Sequence, residues 1–267
     1  MRLALAQLAI EPADVEGNVE AALGAIARAA DDGADLVALP EIFTVGYFAF
    51  DSYSRRAEGL DGKTLSRVAD AAREHGIAVL AGTVVEDLSA SRAAGIETPA
   101  DDGYANTAVF FDRSGTRRAV YRKRHLFGYD SAEASLLTPG ESLPTVEFGG
   151  FTVGITTCYD LRFPKLYREL LDAGVTLTVV PSAWPYPRVE HWRLFPRTRA
   201  VENLMYVGTV NGTGEFEDAA LLGRSTVYGP WGTTLAGAGT DAGLVTADLD
   251  PDRVAAVREE FPALADR

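Results

Sequence analysis

Short apolar runs rich in branched residues alternate with helical patterns along this chain, and that alternation restricts it to an α/β architecture around a largely buried sheet. The order opens with a strand over 2–9, a helix over 17–31, a strand over 35–39, a helix over 62–75 and a strand over 77–84. In the first helix Val19, Leu23, Ile26, Ala27 and Ala30 share one stripe, and in the second Leu65, Val68, Ala69 and Ala72 do the same. The polar, Gly- and Ala-containing stretch 87–103 reads as a connection. The runs 104–112 and 116–122 then flank Arg113-Ser114-Gly115, a hairpin signature, so antiparallel pairing joins the sheet there.

The pattern continues with a strand over 151–157, a helix over 164–173, a strand over 175–180, a helix over 189–203 and a strand over 205–211. Pro164 sits where the first turn of a helix tolerates it. Strands over 225–228, 233–236 and 243–248 follow, separated by Gly229-Pro230-Trp231-Gly232 and by 237–239. A closing helix over 250–259 is expected to take Asp250 as N-cap and Pro251 as its first residue. No stretch is long or biased enough to act as a linker. The expectation is one domain over 1–267, a mixed sheet or a pair of sheets covered by helices.

Charge and cysteine usage narrow the function. A formal net charge of −13 argues against a nucleic-acid partner, which needs clustered Lys and Arg. The only dense basic run, 117–124, is short and suits at most a local anion site. The apolar start of the chain is interrupted by Gln7 and stopped by Glu11-Pro12, too early for a signal peptide. No later stretch approaches the ~20 apolar residues that cross a bilayer, so neither export nor a membrane partner is expected. Cys158 is the only cysteine, which fits a reducing, cytoplasmic compartment. The histidines, His75, His125 and His191, lie far apart, and no metal-ligand spacing or cofactor motif is evident.

Three motifs carry a chemically capable residue to the carboxyl end of a strand, the edge at which loops of an open α/β sheet converge. Residues 35–40 run into Glu41, 119–122 into Lys123, and 151–157 into Cys158. Taken singly, a cysteine after a strand is ordinarily a small core residue, and a glutamate or lysine a solvated charge. Together they suit nucleophilic catalysis. A thiol needs a base, a carboxylate supplies one, and an ammonium lowers the thiol pKa and stabilises charge on an attacked carbonyl. His125, two residues beyond Lys123, leaves a Cys–His dyad as the rival arrangement.

These residues resemble the motifs of the nitrilase, or carbon–nitrogen hydrolase, superfamily. Leu39-Pro40-Glu41 is similar to its glutamate motif, residues 121–127 to its lysine motif, and Cys158-Tyr159-Asp160-Leu161-Arg162-Phe163-Pro164 to its cysteine motif. The likeness extends to Gln7, to Glu133 ahead of Thr138-Pro139-Gly140, and to His191-Trp192-Arg193 followed by Arg199-Ala200-Val201-Glu202-Asn203. Five motifs in the family's order are a specific match.

The resemblance implies a single-domain, four-layer α-β-β-α sandwich that often forms homodimers. It implies an amidase in which Glu41 is the base, Cys158 the nucleophile, and Lys123 with the backbone N–H of Tyr159 the oxyanion site. Glu133 matches the family's second glutamate, which orients Lys123 or the substrate amide. Two departures stand out: Gly128-Tyr129 replaces an acidic residue after the lysine motif, and Pro196 should start or kink the helix that carries it.

The cysteine motif is similar to the branch containing ω-amidases and deaminated-glutathione amidases, whose small substrates pair an amide with a carboxylate. Arg162 and Arg188 are candidates to bind that carboxylate, with Trp184 and Tyr186 as pocket walls. A nitrilase acting on a small nitrile is the nearest alternative, and a catalytically silent binding module of the same fold a further one.

Overall fold

The computed structural model describes residues 1–129, 131–217 and 219–266. Its first strand, β1 (Arg2–Gln7), already displays the layering. Because successive side chains of a strand face opposite ways, Ala4 and Ala6 enter one apolar core while Leu3 and Leu5 enter another. A strand buried on both faces reads as a continuous apolar run rather than an alternating one.

The first half of the chain continues with α1 (Val15–Asp31), β2 (Leu36–Ala38), α2 (Tyr53–Arg56), α3 (Lys63–His75), β3 (Ala78–Asp87), α4 (Leu88–Ala93), β4 (Tyr104–Phe111) and β5 (Arg117–Arg122). The second half holds α5 (Glu133–Leu136), β6 (Thr145–Phe148), β7 (Phe151–Ile155), α6 (Pro164–Asp172), β8 (Leu177–Ser182), α7 (Val189–Asn203) and β9 (Tyr206–Asn211). It closes with β10 (Thr213–Phe216), β11 (Ala219–Leu222), β12 (Thr226–Tyr228), β13 (Thr234–Gly237), β14 (Gly243–Asp248) and α8 (Asp252–Glu260).

Two six-stranded sheets result, in the orders β14-β1-β2-β3-β4-β5 and β13-β12-β9-β8-β7-β6, with β10 and β11 as a separate ribbon. The β1–β2–β3 and β7–β8–β9 pairings are parallel, and the pairings outside them are antiparallel. Helices α1 and α3 pack on the outer face of the first sheet through Val19, Ile26, Leu65 and Val68. Leu3, Leu5, Leu80 and Phe110 of that sheet meet Val153, Leu177, Val179 and Val210 of the second between the sheets. Helices α6 and α7 cover the far face through Leu166, Leu170, Trp192 and Ala200. The architecture is the four-layer α-β-β-α sandwich.

Several local expectations need correction. The buried face of α1 is rotated from the expected stripe: Ala22, Ala25 and Ala29 join Val19 and Ile26, while Leu23 and Ala30 pack at its margin. Part of the connection 87–103 is helical, since Asp87 accepts the Ala90 N–H and caps α4, which buries Leu88 and Ser91. Pro196 does not begin α7; the helix runs through it, held to the second sheet by buried Trp192, Arg199 and Ala200. Helix α8 starts at Asp252, so Pro251 precedes it, although Asp250 Oδ1 still accepts the Asp252 N–H. No described helix is long and apolar enough to cross a membrane.

Candidate active site

Each strand-end residue is held by a backbone device that its neighbours in sequence create. Beyond β2 the chain carrying Leu39-Pro40-Glu41 crosses β3 so closely that a Cβ on Gly82 would lie 2.0 Å from the Pro40 carbonyl oxygen. A side chain cannot fit there, and β3 bulges between Ala81 and Val84. The bulge lets Thr83 donate its N–H to Pro40 O (3.1 Å) and accept the Ile42 N–H at its hydroxyl (2.7 Å). Glu41 is thereby fixed at the seam between the sheets, its own N–H reaching Ser182 O at 3.3 Å.

Lys123 leaves the end of β5. Its N–H donates to Asn106 O (2.9 Å) and its carbonyl accepts the Gly140 N–H (3.0 Å). A Cβ on Gly140 would lie 2.3 Å from Arg122 O, which is why glycine occupies that turn. Next to Lys123, Arg122 points the other way and forms a bidentate ion pair with buried Glu86 at 2.7 and 2.8 Å.

Cys158 opens a tight turn, Cys158–Arg162, with φ of 45°. This left-handed conformation costs a non-glycine residue about 1–3 kcal/mol and is retained where surrounding structure enforces it. Asp160 is the enforcing group. Its buried carboxylate accepts the Thr157 N–H (2.9 Å), the Tyr121 hydroxyl (2.6 Å), the His125 N–H (3.1 Å) and His125 Nδ1–H (2.7 Å). Buried Arg199 donates twice to Leu161 O from α7. His125, further engaged by stacking on Phe163 at 3.7 Å, is thus tied to Asp160 rather than acting as a partner of the thiol.

Glu41, Lys123 and Glu133 meet in a buried cluster beside Cys158. Lys123 Nζ donates to Glu41 Oε1 (2.8 Å) and to Glu133 Oε1 and Oε2 (2.8 and 2.9 Å). Glu133 Oε2 also accepts from the Tyr47 hydroxyl (2.9 Å) and the Phe127 N–H (2.7 Å), and Glu41 Oε2 from the Ala183 N–H (2.9 Å). Asn106 was not signalled by the strand-end motifs, yet its Nδ2 donates to Oε1 of both glutamates at 2.8 and 2.9 Å. Its trace in sequence is a polar Asn106-Thr107 pair within the mostly apolar run of β4.

Electrostatics follow from this burial. Desolvation raises the Glu41 carboxyl above its ordinary range, with the Lys123 charge opposing. Burial by itself would depress Lys123, but Glu133 and Glu41 outweigh it and hold the ammonium well above its usual pKa. The Cys158 thiol is pushed well up, by burial and then by the Glu41 charge. The Lys123 charge does lower the thiol pKa, as expected of a neighbouring ammonium, but burial and the Glu41 charge outweigh it, so the group stands as a thiol beside a carboxylate.

A cavity of about 510 Å³ opens over Cys158 and Lys123. Tyr159, Arg162, Trp184, Tyr186 and Arg188 all line it, whereas Glu41 and Glu133 lie behind Lys123. Arg162 is sandwiched among Trp184, Phe195 and Tyr159, with centroid distances of 5.1, 4.9 and 5.7 Å, and its Nη2 donates to His191 Nδ1 at 3.1 Å. Arg188 lies over Phe127. Burial and then the nearby Arg188 charge lower the Arg162 pKa. Among the described residues neither arginine has a carboxylate partner. Tyr129, on the side of the expected departure from the family pattern, stands exposed at the mouth. Among the described residues no group of three or more His, Cys, Asp or Glu is placed to hold a metal.

Comparison with known proteins agrees with this geometry. The carbon-nitrogen hydrolase family model matches residues 2–259. The chain is 36% identical over 240 residues to the 2-oxoglutaramate amidase of Paenarthrobacter nicotinovorans, covering 88% of this chain and 78% of that one. It is 35% identical over 272 residues to the human (Homo sapiens) Omega-amidase NIT2, covering 98% and 92%. Among solved structures, the amidase from Nesterenkonia sp. AN1 superposes with a TM-score of 0.82 at 30% identity, over 98% of each chain, in a variant whose active-site cysteine has added acrylamide. A further variant of that amidase, also at a TM-score of 0.82 and 30% identity over 98% of this chain and 96% of that one, holds butyramide. The chain belongs to the carbon-nitrogen hydrolase family and is an amidase that hydrolyses the C–N bond of an amide.

Proposed function

We propose that this amidase acts on small ω-amides carrying a free carboxylate, through a thioester on Cys158. Glu41 takes the thiol proton as Sγ attacks the amide carbon, and the developing oxyanion is held by Lys123 Nζ and the Tyr159 backbone N–H. The tetrahedral intermediate collapses, the C–N bond breaks, and the proton held by Glu41 passes to the leaving nitrogen, releasing ammonia. Glu41 then removes a proton from water; the hydroxide adds to the thioester carbon, the C–S bond breaks, Sγ takes back the proton held by Glu41, and the acid departs. Glu133 keeps the Lys123 ammonium aimed. The high pKa of the thiol supports this assignment, because a group protonated at rest needs a base during attack.

The observation that carries the substrate class is the pairing, in one cavity, of Cys158 and Lys123 with Arg162 and Arg188, neither of which has a carboxylate partner among the described residues. An amide with a carboxylate at its other end satisfies both. The two relatives' names, 2-oxoglutaramate amidase and Omega-amidase, support the same class. Arg188→Ala and Arg162→Ala should raise KM for carboxylate-bearing ω-amides by roughly ten- to hundredfold, the effect of losing a charge-assisted bond, while leaving length-matched neutral amides unchanged. Equal effects on both substrate types, or on neither, would remove the arginines from carboxylate recognition.

The working unit we infer is one domain over 1–267, a cytoplasmic homodimer. Exposed Leu194 and Val201 on α7, with Trp231 and Phe261, support a contact between copies. Trp231→Glu should shift the elution volume in size-exclusion chromatography if that face joins them.

A further inference from the structure

We infer that Asn106 is a positioning residue of the reaction: its amide occupies one oxygen of each glutamate, so that Glu41 Oε2 is the oxygen that exchanges protons with the thiol, the leaving group and water. The inference rests on the catalytic roles proposed above for Cys158, Glu41 and Lys123.

The geometry is a closed four-membered ring of donors and acceptors. Glu41 Oε1 and Glu133 Oε1 each accept twice, once from Lys123 Nζ (2.8 Å to both) and once from Asn106 Nδ2 (2.8 and 2.9 Å). One ammonium faces two carboxylates here, all with side chains at most 1% exposed, and the ensemble carries a surplus negative charge. Like charges this close favour uptake of a proton. A second ammonium would quench the base. A neutral amide instead offers two N–H dipoles, stabilising both ionised carboxylates without adding charge.

Occupancy then distinguishes the oxygens. With Oε1 taken by two donors, Glu41 Oε2, which accepts the Ala183 N–H at 2.9 Å, retains room to face the Cys158 thiol and take its proton. Glu133 has no such room: Oε1 takes Nζ and Nδ2, and Oε2 takes Nζ, the Tyr47 hydroxyl and the Phe127 N–H. Two chemically identical side chains on one lysine thus acquire different duties, Glu41 as base and Glu133 as brace. The orientation of the amide is forced, because turning its oxygen inward would set it against both carboxylates. The outward Asn106 Oδ1 is buried with no hydrogen-bond partner among the described residues, an arrangement unfavourable for stability and retained for what Nδ2 does. The backbone of Asn106 contributes as well, accepting the Lys123 N–H at 2.9 Å, and that bond survives any substitution of the side chain.

The test grades the number of donors at position 106: two in the native chain, one in Asn106→Ser, none in Asn106→Leu. Fewer donors disfavour the carboxylate form, so the acid limb of the kcat/KM–pH profile should move to higher pH in the order Asn, Ser, Leu. At neutral pH kcat should fall roughly ten- to hundredfold in Asn106→Leu and less in Asn106→Ser, with KM held within about twofold. An acid limb that stays in place, or a loss confined to KM, overturns the inference. If Asn106→Leu melts too low to assay, the limb position of Asn106→Ser decides alone. Cys158→Ala measured alongside separates the two levels: if it retains turnover the catalytic reading fails, whereas an inert Cys158→Ala with native-like Asn106 variants rejects the role of Asn106 only.

Discussion

At the scale of residues, burial holds the Cys158 thiol well up, so the mechanism proposed above needs Glu41 as its base. Burial raises Glu41, so its proton is lost only above the ordinary carboxylate pKa of about 4.3. The carboxylate is the working form, hence kcat/KM should rise as pH increases through that elevated value. Lys123 is held well above its usual pKa, so its deprotonation should cause no alkaline loss below about pH 10. Initial rates across pH check both limbs, and an acid limb at or below the usual glutamate range would contradict the burial of Glu41. Glu41, Lys123 and Cys158 were legible because each ends a strand in a motif that makes sense only in company. Asn106 was not, because its role depends on two glutamates 65 and 27 residues away in sequence. The lowering effect of Lys123 on the Cys158 thiol was legible too, whereas the larger opposing effects, burial and the Glu41 charge, depend on the packing of the site and not on local sequence.

At the scale of elements, β3 is as much part of the site as the strand ends. Gly82 is the point where 39–41 presses on the bulge, and a Cβ there would meet Pro40 O at 2.0 Å and Leu39 O at 2.2 Å, both backbone atoms with nowhere to move. Gly82→Ala should therefore displace Glu41 from Lys123. A kcat loss of roughly a hundredfold or more is expected from misplacement near 1 Å, with a destabilisation of about 1–3 kcal/mol from overpacking. Kinetics paired with urea unfolding test this, and native kcat in a folded Gly82→Ala protein would show that the crossing is not what places Glu41. Such crossings explain why element order was readable and element detail was not. Strands buried on both faces and the stripe of α3 follow from local pattern. The bulge, helix α5 beneath Glu133 and the β10–β11 ribbon answer to tertiary contacts instead, as does the continuation of α7 through Pro196.

At the scale of the molecule, the cluster is cut from both halves of the sandwich: Glu41 and Lys123 leave the first sheet, while Cys158 and the Ala183 N–H that binds Glu41 leave the second. Any sliding of one sheet on the other parts Cys158 from Glu41. The C-terminal segment opposes that motion. Strand β14 pairs with β1 on the first sheet, with Leu3 opposite Ala247 and Leu5 opposite Val245. The chain then turns through buried Leu249 to α8, where Val254 and Val257 are 1% and 0% exposed. From α8, Arg258 reaches the carbonyls of Leu204, Asn203 and Val175, at the end of α7 and ahead of β8. One continuous stretch thus fastens the first sheet to the second on the edge away from the cavity. Ending the chain at Asp250 keeps β14 but removes α8, and the lost burial of two valines alone amounts to about 3–6 kcal/mol. Because the site spans both sheets, loss of activity and loss of far-ultraviolet dichroism should coincide in urea for the native chain, and both should move together to lower urea in the shortened one. A shortened chain whose activity disappears well before its dichroism would mean that the sheets separate as independent units. An unchanged midpoint would mean that α8 holds nothing, and that the core between the sheets suffices to keep Cys158 against Glu41.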